Sequence, residues 1–130
     1  MKKLKWCNRT LITSPYCFSL CLSEEAFNKE LKRLNVPLKG RASWILNSHS
    51  NATIHFFSDT TENKRCAIVC LKRRKGLKIE EIHGLLVHEA THLWQTICED
   101  IGESSPSAEF EAYCIQAISQ ELMLAYKELK

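Results

Sequence analysis

The stretch Val87-His88-Glu89-Ala90-Thr91-His92-Leu93-Trp94 constrains this chain more than any other. It sets two histidines four residues apart, with a glutamate directly after the first, inside an apolar run from about Ile79 to Cys98. On a helix, residues at that spacing lie about 40° apart around the axis, one turn above the other. Both imidazoles can therefore face a single metal ion. Glu89 is too far round to be an obvious ligand, yet close enough to reach a water beside the metal. Zinc takes nitrogen donors at about 2.0–2.1 Å, and a catalytic site leaves one position open for water. This spacing on a helix carries that mechanism. Leu85, Leu86, Leu93, Trp94 and Ile97 surround the motif, as a helix buried through a small domain requires. The five-residue pattern fixes only three positions. The bland alternative is two ordinary polar histidines on a partly exposed helix face.

A second acidic element follows in Ser105-Pro106-Ser107-Ala108-Glu109-Phe110-Glu111-Ala112-Tyr113. Ser105 reads as an N-cap with Pro106 at the first helical position. The helix then continues through Ile115, Ile118, Leu122 and Leu129, which puts Glu109 and Glu111 in its first turns. A loop containing Gly102 would fold it back on the motif helix. Either glutamate could then complete a site of two nitrogens and one carboxylate.

His88-Glu89-x-x-His92 followed by a glutamate on the next helix resembles the gluzincin branch of the zincin metallopeptidases. The segment Glu109-Phe110-Glu111-Ala112-Tyr113 is similar to the element carrying that branch's third ligand, with Glu109 as the ligand and Ala112 as the small residue. Tyr113 departs from the pattern, standing where the family often has Asp or Asn. Small size and this segment also resemble small metallopeptidases encoded by bacteriophages. The likeness covers roughly Ile79 to Gln120. It implies a minimal zincin-like α+β domain, a small and largely antiparallel sheet packed on the motif helix and a C-terminal helix. It further implies zinc held by His88, His92 and Glu109, with Glu89 as the catalytic base. Glu111 is the fallback third ligand, or else a partner to one.

At 130 residues the chain is expected to form one domain, residues 1–130, with a single core. A net charge of +3 is too mild to argue a nucleic-acid partner. No apolar run approaches the roughly 18–20 residues of a membrane span. The basic start, Met1-Lys2-Lys3-Leu4-Lys5, lacks the uninterrupted apolar segment of a signal peptide, so a cytoplasmic protein is expected. Seven cysteines are an odd number. Cys17 and Cys21, like Cys66 and Cys70, lie four apart rather than at zinc-ribbon spacing. On a strand each pair shares one face, as small buried apolar side chains would.

Taken in order, residues 16–22 alternate as a strand, and Ser23-Glu24-Glu25 starts a helix striped by Ala26, Phe27, Leu31 and Leu34. Asn35, Pro37 and Gly40 end it. Strand candidates follow at 41–46, 52–57 and 66–71, joined by turn-rich segments that favour antiparallel neighbours. Lys72-Arg73-Arg74-Lys75-Gly76 reads as a solvated turn, with an acidic-substrate or nucleic-acid patch as the rival reading.

The expected function is that of a zinc-dependent peptidase acting on a protein or peptide. The alternatives are a non-catalytic zincin-like protein that binds or inhibits a partner, and a hydrolase of other carbonyl or amide carbons. Substrate is expected along an exposed strand edge, with 66–71 as the first candidate. His55, His83 and Tyr113 are the candidate oxyanion donors, His83 pointing off the metal face.

Overall fold

A computed structural model describes residues 4–7, 16–37, 39, 41–47, 49–59 and 64–130. Gly40 lies outside the described residues. The elements run β1 (Lys5–Trp6), β2 (Tyr16–Cys21), α1 (Glu24–Arg33), β3 (Ala52–Asp59), β4 (Lys64–Leu71), α2 (Ile79–Ile101) and α3 (Ala108–Leu129). Among the described residues the strands form one four-stranded sheet in the order β1-β2-β4-β3. β1 on β2 and β3 on β4 are antiparallel, whereas β2 and β4 run parallel. The α+β class is as expected, but the sheet is mixed at its centre. α1 and β3 form the long connection that a parallel pair needs.

Alternation along the strands sorts the side chains into two cores. Tyr16, Phe18, Leu20, Ala67, Val69 and Leu71 face α2 and α3, meeting Leu86, Ala90, Leu93, Trp94, Ile118 and Leu122. Cys21, Ile68 and Cys70 face the other way, against Ala26, Phe27 and Leu31 of α1. The result is three layers: α1, the sheet, then the α2–α3 hairpin. Register explains the cysteine spacing, since Cys17 pairs with Cys66 and Cys21 with Cys70 across β2 and β4. Cys21, Cys66 and Cys70 are buried, and none of the seven cysteines is in a disulfide.

Ser23 caps α1, its Oγ accepting from the Ala26 N–H at 3.1 Å. Asn35 then takes a left-handed φ of 59°, a conformation Asn tolerates better than most residues. At the end of α2, Gly102 adopts φ 74°. Its N–H donates to the Glu99 carbonyl and the Glu103 N–H to that of Cys98, the paired bonds that stop a helix at a left-handed residue. The next cap corrects the sequence expectation by two residues. Ser107, not Ser105, caps α3, accepting from the Phe110 N–H, and Pro106 precedes the helix.

The strand expected at 41–46 is absent: residues 41–43 are irregular and 44–46 form a bend. Trp44 and Ile45 pack beside the α1 core. The Leu46 N–H donates to Thr53 Oγ1 at 3.3 Å, and His55 Nε2–H donates to the Trp44 carbonyl at 2.9 Å. Side chains of β3 thus satisfy this backbone in place of a ladder partner.

Candidate metal centre

α2 carries the motif as a helix whose buried stripe runs through Ile82, Leu86, Ala90, Leu93, Trp94 and Ile97. That stripe fixes the rotation of the helix. His88 and His92 are left on the solvent side, and Glu89 falls at the margin of the core. His88 Nε2 and His92 Nε2 lie 3.1 Å apart, their ring planes inclined at 79°. Two ligands of a tetrahedral zinc ion at about 2.0–2.1 Å are separated by about 3.3 Å. The imidazole pair therefore fits two corners of such a site. The far nitrogen of His92 is also held, since Nδ1–H donates to Gln95 Oε1 at 3.1 Å.

Glu89 is only 5% exposed. Burial raises its carboxyl above the usual carboxylate range, partly offset by the two imidazoles. It lines a cleft of about 590 Å³ between α2 and the segment entering β3, together with His49, Asn51, Glu81, Leu85 and His88. A buried carboxyl with a raised pKa beside two imidazoles in an open cleft has the character of a proton acceptor.

The carboxylates of α3 sit elsewhere. α2 continues from His92 to Ile101, about 14 Å at 1.5 Å per residue, before the chain reverses. The first turn of α3 consequently packs beside the C-terminal part of α2. Glu109 is exposed there. Glu111 Oε2 accepts the Trp94 indole N–H at 3.0 Å, and the Phe110 ring lies edge-on to Trp94 at 5.6 Å. Trp94 is two residues past His92, about 200° round the helix, on the face turned away from the imidazoles. The structure thus brings His88, His92 and Glu89 together, while Glu111 is bonded to Trp94 and Glu109 is exposed at the start of α3. Among the described residues, no group of three or more His, Cys, Asp or Glu side chains is arranged to hold a metal ion.

Other expectations for the site shift as well. β4 is interior, paired with β2 and β3, so residues 66–71 offer no edge; on that side of the sheet the edge strand is β3. His55 is buried on the α1 side, between Phe27 and Phe57. Tyr113 is exposed on α3, and His83 lies about 140° round α2 from His88. None of the three lines the cleft beside Glu89, whereas His49 and Asn51 do. Both lie in a segment of turn composition, and only the docking of that turn against α2 marks them. Arg74 of the basic turn donates to Asn51 Oδ1 at 3.1 Å, tying the turn to the cleft wall.

The chain matches no protein-family model, and no curated protein or solved structure is significantly similar to it. No helix among the described residues is long and apolar enough to cross a membrane.

Proposed function

We propose that His88 and His92 bind a zinc ion and that the chain is a zinc-dependent hydrolase of peptide bonds. The observation that carries this reading is the 3.1 Å approach of the two Nε2 atoms with the Glu89 carboxyl in the adjoining cleft. An ion held by His88 and His92 would supply Lewis-acid polarisation of a carbonyl and would make a neighbouring water more acidic. Glu89 takes the proton of the attacking water and returns it to the leaving amine as the carbon–nitrogen bond breaks. Burial raises its proton affinity toward that task. The approach of the two Nε2 atoms supports the two-imidazole part of this reading, whereas the assignment of Glu109 as third ligand rests on the resemblance alone. The substrate is a protein or peptide.

The test is metal content of the purified protein by elemental analysis. Wild type is expected to hold one equivalent of zinc and His88→Ala none. Zinc-free wild type after metal-replete preparation overturns the reading. Glu109→Gln tests the third ligand separately: lost zinc supports it, and retained zinc removes it.

A second reading is a metal-binding, non-catalytic domain that acts on a partner protein. It is favoured by the commitment of Glu111 to Trp94 and by the lack, among the described residues, of a three-ligand group around the imidazoles. Under this reading Glu89→Ala leaves function intact.

A further inference from the structure

The exposed face of α2 holds a short relay that the motif does not specify. Gln95 Oε1 accepts from His92 Nδ1–H at 3.1 Å, and His92 Nε2 faces His88 Nε2 at 3.1 Å. A neutral imidazole carries one N–H and one lone pair. Placing the proton on Nδ1 leaves the lone pair on Nε2. The same tautomer allows His88 Nε2–H to donate to His92 Nε2 in the metal-free protein. It also presents Nε2 as a donor atom when an ion replaces that proton.

We propose that Gln95 is a positioning residue that fixes His92 in the Nδ1–H tautomer and turns its Nε2 toward the site shared with His88. This rests on the metal-binding reading above and adds to it the group that orients one ligand. Metal-bound histidines usually donate their second nitrogen to a carboxylate, a carbonyl or water. Here a side-chain amide three residues along the same helix does so. On the neighbouring helix, Glu111 is engaged by Trp94. Gln95 is exposed, and its link to His92 lies within a single helix, so the orientation is independent of how α3 packs.

The experiment compares wild type, Gln95→Ala and Gln95→Glu by zinc competition against a chromophoric chelator at pH 7, and by the imidazole ¹⁵N shifts of the zinc-free proteins. Gln95→Ala is expected to weaken zinc binding about 10- to 100-fold, in line with the loss of such partners elsewhere. Its His92 signals are expected to move from the Nδ1–H pattern to a mixture of tautomers. Gln95→Glu keeps an acceptor at the same reach and is expected to retain both affinity and pattern. Unchanged affinity and spectra in Gln95→Ala overturn the inference while leaving zinc binding standing. Gln95→Glu behaving like Gln95→Ala overturns it too. Wild type that binds no zinc overturns the functional reading and the metal part of the inference together.

Discussion

The Trp94 indole N–H donates to Glu111 Oε2 at 3.0 Å, joining the buried face of α2 to the first turns of α3. Trp94 is 1% exposed, so its N–H needs a partner inside the protein. Glu111 is that partner. Glu111→Ala leaves the indole unpaired and is expected to cost about 1–3 kcal/mol of unfolding free energy in urea. Zinc content should stay at the wild-type level. A variant that folds normally and loses its zinc assigns Glu111 to the metal instead.

Glu89 separates catalysis from metal binding. Glu89→Gln conserves shape and removes the base, so peptide hydrolysis is expected to fall by about 10²–10⁴-fold. Zinc measured in the same sample should remain at wild-type stoichiometry. Turnover unaffected by the change rules out a proton-transfer role.

At the other end of α2, Tyr16 Oη–H donates to Asp100 Oδ2 at 2.5 Å, and Arg65 Nη1 lies 2.8 Å from the same oxygen. The Tyr16 hydrogen bond, followed by the Arg65 pairing, holds the Asp100 carboxyl below the usual carboxylate range despite some desolvation. A carboxyl depressed by folding adds stability above its unfolded pKa of about 3.9 and loses it as the pH falls through the lower folded value. Asp100→Asn is therefore expected to lower the melting temperature at pH 7. The gap from wild type should close on acidification below about pH 4. A gap that does not depend on pH excludes the carboxylate as its source.

Phe27 anchors the α1 layer, 1% exposed and 4.7 Å centroid to centroid from His55. Phe27→Ala is expected to cost about 3–5 kcal/mol through the cavity it leaves. The sheet stands between that cavity and the imidazoles, so zinc affinity of the folded fraction should not change. Denaturant titration and chelator competition on one preparation check both halves. Weakened zinc binding in fully folded protein would show that the α1 layer supports the site.

Features that depend on near neighbours were legible in the residues alone. A four-residue spacing on an amphipathic helix fixes the imidazole pair. Ser23, the left-handed Gly102 and the alternation in residues 16–21 and 66–71 likewise act through local backbone geometry. Residues 41–46 misled because Trp44 and Ile45 look like strand residues locally, yet their backbone is satisfied by side chains of β3. That β4 is interior, that His49 and Asn51 share a cleft with Glu89, and that Glu111 bonds Trp94 emerge from long-range packing. The last of these depends on how far α2 runs before Gly102 reverses the chain, and on which face of α2 the second helix covers. Covering the Trp94 face buries the indole and the Leu93 side chain at once, a gain set by the whole α2–α3 contact rather than by any short stretch of sequence.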